Sequence, residues 1–133
     1  MKYLFAFIGF GEAAYNITKG LRGEGLDSIT AYDMMQDDPV RGKLIRERAD
    51  EVGISLAPTL EDAYRNADFV LSMNSPAVCV SVANGILPNL VSGQVYVDLN
   101  SSSPTDMTEI DKLPRQEGVL FCDVGVLGMV PAG

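Results

Sequence analysis

The chain has 133 residues, a length typical of a single domain. Hydrophobic residues make up 47% of it and charged residues 21%, as in a globular protein with a substantial core. The net charge of −8 argues against a broad nucleic-acid surface. The absence of histidine excludes His-based acid–base catalysis, a Ser-His-Asp triad and most zinc sites, so no metal is predicted.

The first apolar run follows Lys2 and ends at Gly9 and Glu12 without a convincing cleavage site, which favours a first strand over a signal peptide. No apolar stretch reaches the roughly 18 residues of a membrane span. We therefore predict a cytoplasmic protein without a membrane partner. Cys79 and Cys122 lie in apolar runs and are predicted to be reduced core residues.

A glycine turn joins the first strand to a helix that is predicted from Glu12 to about Gly23. The pattern is Gly9-x-Gly11-x-x-Ala14. A strand that breaks into a helix at this point presents backbone N–H groups and the positive end of a helix dipole, which suit a phosphate. Gly9 would permit the tight turn, and Gly11 the approach of a pyrophosphate. A plain strand-to-helix turn is the alternative interpretation.

The residues of this turn form the predicted pyrophosphate loop, with the Glu12 side chain expected to point to solvent because it would repel a phosphate. They are Gly9, Phe10, Gly11, Glu12 and Ala13.

A second strand, predicted from Ser28, ends at Asp33, which follows Gly11 by 22 residues. A carboxylate about 20 residues after the turn is typical of one that binds the adenosine ribose. Asp33 would also repel a 2′-phosphate, and no arginine follows it directly, which favours NAD while leaving NADP possible. Arg41 and Arg46 are interpreted as solvated helix residues. An ordinary turn at Asp33 is the alternative.

The remaining elements continue the alternation of helix and strand. A helix is predicted to start at Asp38-Pro39, and its apolar face consists of Val40, Leu44, Ile45, Ala49 and Val52. A short helix is predicted from Thr59 to near Asn66. Two further helices are predicted to start at Ser75-Pro76, with Val78, Val82 and Ile86 as apolar residues, and at Ser103-Pro104. The predicted strands cover residues 54–57, 68–73, 95–99 and 119–123. This order predicts one α/β domain over residues 1–133: a doubly wound, mostly parallel, Rossmann-like sheet in three layers.

Polar residues follow two of these strands. The fourth strand ends at Met73 and is followed by Asn74 and Ser75, and Asn100 and Ser101 follow the fifth. Ligands of parallel sheets bind beyond the carboxyl ends of the strands, so these residues are predicted to lie near the nicotinamide side of a dinucleotide. Turn formation and helix capping are the alternative interpretation of both segments.

The chain resembles the N-terminal domain of the β-hydroxyacid dehydrogenases, which include 3-hydroxyisobutyrate and 6-phosphogluconate dehydrogenases. The segments that carry the resemblance are residues 7–14 (FIGFGEAA), 97–104 (VDLNSSSP) and 121–131 (FCDVGVLGMVP). The resemblance implies hydride transfer between nicotinamide and a small hydroxy acid or related carbonyl compound. It also implies a second, all-helical domain absent from this chain, a small-molecule substrate and a possible homodimer.

The third segment resembles the family's substrate-binding stretch and implies a substrate contact at Gly128. Asn100 and Ser101, at the end of the fifth strand, would border the same substrate. Leu127 stands where the family has its substrate-binding serine, so the usual substrates are not implied. The family's catalytic lysine has no counterpart among the lysines of this chain, and the catalytic residues are unknown. Two other functions stay open: a non-enzymatic NAD(H)-sensing module, and a methyltransferase that uses a methyl-donor cofactor at a similar glycine loop.

Overall fold

The computed structural model describes residues 3–26, 28–100 and 103–124. Strands and helices alternate along them. The strands are β1 (Phe5–Ile8), β2 (Ile29–Tyr32), β3 (Ser55–Leu56), β4 (Phe69–Ser72), β5 (Val95–Asp98) and β6 (Leu120–Asp123). The helices are α1 (Glu12–Gly23), α2 (Arg41–Val52), α3 (Leu60–Tyr64), α4 (Cys79–Ile86) and α5 (Pro104–Asp111), and a 3₁₀ turn (Leu87–Asn89) follows α4.

The six strands form one parallel sheet in the order β3-β2-β1-β4-β5-β6. The chain winds outward from β1 in one direction, then crosses back to β4 and winds in the other. The point of reversal therefore lies between β1 and β4, and a crevice opens there beyond the carboxyl ends of the strands. The predicted doubly wound, Rossmann-like sheet is confirmed.

Helices cover both faces of the sheet, which gives the three predicted layers. On one face, α1 and α2 pack over a cluster that includes Phe7, Phe10 and Ile45. On the other, α3, α4 and α5 pack over a cluster that includes Ile86 and Tyr96. Each large apolar side chain buried in this way contributes about 1.5–3 kcal/mol.

Two predicted helix caps are present. Thr59 Oγ1 accepts a hydrogen bond from the Asp62 N–H at the start of α3 (3.1 Å), and Ser103 Oγ accepts one from the Asp106 N–H at the start of α5 (3.2 Å). Both caps act within four residues, so the local sequence is sufficient to predict them.

Helix α2 was predicted to begin at Pro39, but it begins at Arg41. Asp38 Oδ2 accepts hydrogen bonds from the N–H groups of Arg41 (2.8 Å) and Val40 (3.0 Å), and these bonds lower the pKa of Asp38. Asp38 thus caps the turn that precedes α2, and Val40, directly before the helix, has no side-chain cap. Val40 and Leu44 are exposed, so the predicted apolar face is wrong at these two positions.

Helix α4 begins at Cys79 rather than at Ser75. The residues before it form a turn in which the Val78 N–H donates to the Ser75 carbonyl at 3.2 Å. The buried residues of α4 are Cys79, Ala83 and Ile86, whereas Val78, which precedes the helix, is exposed.

The cysteines differ in environment. Cys79 is fully buried as predicted, whereas Cys122 is exposed, so its predicted core position is wrong. Cys122 and Leu120 share the α1–α2 face of the sheet, and within the described residues the helices of that face do not extend over β6. Among the described segments, no helix is both long and apolar enough to cross a membrane.

Candidate functional site

The turn after β1 is closed tightly at Gly9. Its φ is +95°, a conformation that side chains disfavour, and its N–H donates to the Tyr32 carbonyl at 2.8 Å. A Cβ at this position would clash with the Met73 carbonyl and lie 2.7 Å from Asn74 Oδ1. The absent side chain therefore lets the segment after β4 close over the turn after β1.

Gly11 has a different environment. A Cβ built on it would meet no heavy atom within 4 Å among the described residues, and no described side chain caps α1 at this position. The first N–H groups of α1 thus have no side-chain acceptor among the described residues, at the positive end of the helix. Glu12 is exposed as expected, and Ala13 is partly buried in the first turn.

Asp33 follows β2 and is bonded to the glycine turn. Its Oδ2 accepts from the Phe10 N–H and its Oδ1 from the Met35 N–H, both at 2.8 Å. Each carboxylate oxygen keeps a lone pair for one further hydrogen bond. Asp33 can therefore both stabilise the turn and accept a ligand hydroxyl.

Gln36 holds this loop, a role that the sequence analysis missed. Its side-chain oxygen accepts from the Asp33 N–H (3.0 Å), and its Nε2 donates to the Ala57 carbonyl (2.8 Å). Arg46 was expected to be a solvated helix residue, but its guanidinium donates a hydrogen bond to the Gln36 carbonyl at 2.6 Å and so contacts this loop.

An apolar cavity of about 240 Å³ lies beside this loop. It extends from the glycine turn and the end of β2 to helices α3 and α4. Its lining residues are Ile8, Gly9, Tyr32, Met34, Leu60, Asn74, Ser81, Val82 and Gly85. Met34, Leu60 and Val82 were not predicted as site residues. Leu60 and Val82 lie on helices, where apolar side chains are interpreted as core, and Met34 lies in the loop after β2. A groove of about 540 Å³ lies between α1 and α2, by Lys19 and Arg22, and shares no lining residue with the apolar cavity.

The polar segments after β4 and β5 meet in space. Asn100 Oδ1 accepts a hydrogen bond of 2.5 Å from the Asn74 N–H, and Met73 donates its N–H to the Ile8 carbonyl at 2.8 Å. The structure thus brings Met73, Asn74, Ser75 and Asn100 to the crevice edge that also holds Gly9. Ser101 and Gly128 lie outside the described residues.

The arrangement combines a turn with free N–H groups, a carboxylate at the end of the neighbouring strand and an apolar cavity beside it. A sequence model of the family described as the NAD binding domain of 6-phosphogluconate dehydrogenase matches residues 4–132. The chain belongs to this family. The predicted resemblance and the predicted NAD-type cofactor are thereby confirmed.

Known proteins resemble this NAD-binding domain along nearly its full length. Mouse mitochondrial 3-hydroxyisobutyrate dehydrogenase is 30% identical over 126 residues, which are 95% of this chain and 36% of the mouse protein. A conserved hypothetical protein of Sinorhizobium meliloti superposes with a TM-score of 0.88 at 34% identity, over 98% of this chain and 44% of that protein.

A variant of the imine reductase of Myxococcus stipitatus, in complex with NAD+, has a TM-score of 0.76 at 24% identity. That match covers 96% of this chain and 41% of the imine reductase, and its low identity supports the fold alone. The NAD-binding domain spans less than half the length of each of these three proteins.

Proposed function

We propose that residues 1–133 are the cofactor-binding part of an oxidoreductase that transfers a hydride between nicotinamide and a small hydroxy acid or related carbonyl compound. The observation that carries this proposal is the bond between Asp33 and the Phe10 N–H, which fixes an acidic group beside an open helix N-terminus and an apolar cavity. When bound, the nicotinamide cofactor supplies the hydride chemistry, and this chain binds and orients it.

The pyrophosphate is assigned to the turn formed by Gly9, Phe10, Gly11, Glu12 and Ala13. The N–H groups of Gly9 and Phe10 are already bonded to Tyr32 and Asp33, so the N–H groups of the last three residues are the proposed donors. The open space at Gly11 supports this assignment, because a phosphate group needs close approach to the backbone. Asp33 is assigned to the adenosine ribose hydroxyls, through the lone pairs that its own loop leaves available. The adenine ring is assigned to the apolar cavity, between Met34 and Val82.

The nicotinamide half is assigned to the other side of the crevice, next to Met73, Asn74, Ser75 and Asn100. The sheet order supports this assignment, since β2 and β4 lie on opposite sides of β1. Ser101 and Gly128 are proposed to border the substrate.

We propose NAD rather than NADP as the preferred cofactor. A 2′-phosphate next to Asp33 would be repelled, and the nearby Arg46 is already bonded to the Gln36 carbonyl. Arg41 is exposed at the start of α2.

The proposal extends to the whole protein. A second, helical domain would supply the catalytic residues, so the 133-residue chain alone is expected to bind cofactor weakly and catalyse no turnover. The cytoplasmic location and a homodimer are retained as parts of this proposal. Hydride transfer by purified residues 1–133 would contradict the two-domain assignment.

The test is calorimetric titration of the chain with NAD+, NADP+ and S-adenosylmethionine. The expected result is the tightest binding for NAD+, and an affinity at least about tenfold lower in Asp33→Ala, the loss of one charged hydrogen bond. A preference for NADP+ that Asp33→Ala leaves unchanged would overturn the ribose assignment. Binding of S-adenosylmethionine alone would favour a methyltransferase.

A further inference from the structure

Four polar side chains form one hydrogen-bonded network where β4 and β5 end. We call Ser72, Asn74, Asp98 and Asn100 the strand-end network. Ser72 and Asp98 are fully buried, and Asn100 is nearly so. A buried polar network stabilises one arrangement only when its members satisfy one another, which makes the individual bonds informative.

The amide of Asn100 is fully satisfied within this network. Its Nδ2 donates to Ser72 Oγ and to Asp98 Oδ2, each at 3.0 Å, and its Oδ1 accepts from the Asn74 N–H. A flipped amide would place NH2 against the Asn74 N–H and oxygen against the Asp98 carboxylate. The amide therefore has a single favourable orientation.

Asp98 is the member that fixes this orientation. Its Oδ1 accepts from the Asn100 N–H at 2.9 Å, while its Oδ2 accepts from the Asn100 side chain. Both oxygens thus bind the same residue. Asp98 has no exposed surface, so it reaches a ligand only through Asn100.

The network ends at the glycine turn. The Asn74 N–H is held by Asn100, and Asn74 Nδ2 donates to Ser72 Oγ at 3.2 Å. These bonds direct Asn74 Oδ1 over Gly9, where a Cβ would come within 2.7 Å of it. The position of the segment after β4 therefore depends on a carboxylate on β5.

We propose that Asp98 is a positioning residue for the nicotinamide half of the cofactor, acting through Asn100 on the Asn74 backbone. The inference rests on the proposed function. In this proposal the Asn100 side chain fixes the position of the Asn74 N–H by accepting its hydrogen bond. β2 and the adenosine ribose lie on the other side of β1, although Asn74 also lines the cavity assigned to the adenine ring. Loss of the network should therefore weaken the nicotinamide half of the cofactor site far more than the adenosine half.

The test compares two probes, ADP and NAD+, in Asp98→Asn. This variant keeps the shape but has one oxygen instead of two, so its NH2 must face either the N–H or the Nδ2 of Asn100. We expect the ADP affinity to stay within twofold of wild type and the NAD+ affinity to fall about tenfold, as for loss of one hydrogen bond to a charged group.

The reciprocal double variant Asp98→Asn/Asn100→Asp restores the pairing. The new amide at position 98 donates to the new carboxylate at position 100, which still accepts from the Asn74 N–H, and the Ser72 hydroxyl can turn to donate. We expect the NAD+ affinity to recover to within about threefold of wild type, a difference of about 0.6 kcal/mol in the free energy of binding. The matched control is Asp50→Asn, which makes the same exchange at an exposed position of α2 outside the strand-end network, and it should change neither affinity.

A second variant and a second readout cover the case in which Asp98→Asn does not fold. Ser72→Ala removes one acceptor of the Asn100 amide and should lower the NAD+ affinity about threefold with no change for ADP. In NMR spectra, the Asn74 amide signal should shift in either single variant and return in the double variant.

The outcomes separate the two proposals. Equal losses for ADP and NAD+, or no loss for either, in Asp98→Asn and Ser72→Ala would overturn the positioning role while the proposed cofactor site stands. If wild-type chain binds neither ADP nor NAD+, the proposed function fails and the positioning role falls with it.

Discussion

The carboxylate of Asp33 accepts a hydrogen bond of 2.8 Å from the main-chain N–H of Phe10. This bond joins the end of β2 to the middle of the glycine turn, across 23 residues of sequence. The residue assigned to the ribose thus also shapes the loop assigned to the pyrophosphate. A substitution at Asp33 should affect folding and binding together, and the two effects have to be measured separately.

The stability effect of Asp33 follows from its two main-chain donors. Asp33→Ala leaves the N–H groups of Phe10 and Met35 without their acceptor, in a partly buried loop. We expect the free energy of unfolding without cofactor to fall by about 2 kcal/mol. Urea denaturation would measure it. Asp37→Ala, at an exposed position in the same loop, should stay within about 0.5 kcal/mol of wild type. A smaller effect at Asp33 than at Asp37 would show that the bond does not hold the turn.

The two glycines of the turn should respond differently to a methyl group. In Gly9→Ala the new Cβ clashes with the Met73 carbonyl at a φ of +95°, so we expect a loss of about 2–5 kcal/mol in the free energy of unfolding. Gly11→Ala meets open space and should cost less than about 1 kcal/mol, but it fills the volume assigned to the pyrophosphate.

Thermal unfolding and NAD+ titration of both variants would test this contrast. Gly11→Ala should fold normally and bind NAD+ at least about tenfold more weakly, since one close phosphate contact is lost. Wild-type affinity in Gly11→Ala would mean that the pyrophosphate does not approach this residue.

The sequence predicted the features that depend on near neighbours. The alternation of strands and helices, the caps at Thr59 and Ser103 and the end of α2 at Gly53 all follow from residues within one turn of each other. The acidic residue at the end of β2 was identified differently, from its spacing of 22 residues to Gly11 in the glycine turn.

The features that the sequence did not predict depend on distant partners. Asn74 closes over Gly9 and is bonded to Asn100, and both contacts join segments that follow different strands. The hydrophobic periodicity of the sequence does not predict contacts of this kind. The exposure of Cys122 depends on which helices reach β6 rather than on its apolar neighbours. The late starts of α2 and α4 arise because a cap or a proline can begin a turn that precedes the helix.

Tyr96 gives a prediction for alkaline pH. Burial raises the pKa of its phenol above the ordinary value of 10.0; the nearby Asp98 also raises it, and Ser72 opposes the shift. The folded chain therefore keeps the Tyr96 proton at a pH near 10, where the unfolded chain loses it. The contribution of Tyr96 to the free energy of unfolding is thus complete below pH 10 and declines above it.

Urea denaturation between about pH 8 and pH 11 would test this. We expect the free energy of unfolding of wild type to fall above pH 10 more steeply than that of Tyr96→Phe. Tyr3→Phe, at a half-exposed position, should follow the wild-type curve. Identical slopes for wild type and Tyr96→Phe would contradict a raised pKa.

Two glycines near the ends of helices should respond in opposite directions to alanine. Gly20 lies inside α1, its φ is not positive, and a Cβ on it would meet no heavy atom within 4 Å among the described residues. Gly20→Ala should raise the free energy of unfolding by about 0.5–1 kcal/mol, because alanine loses less backbone entropy in a helix.

Gly53 ends α2 at a φ of +74°, and a Cβ there would lie 3.0 Å from the Arg22 guanidinium. Gly53→Ala should lower the free energy of unfolding by about 1–2 kcal/mol, the cost of the left-handed conformation. Chemical denaturation of the two variants would measure both changes in the free energy of unfolding. Stabilisation by Gly53→Ala would contradict the left-handed conformation of Gly53 at the end of α2.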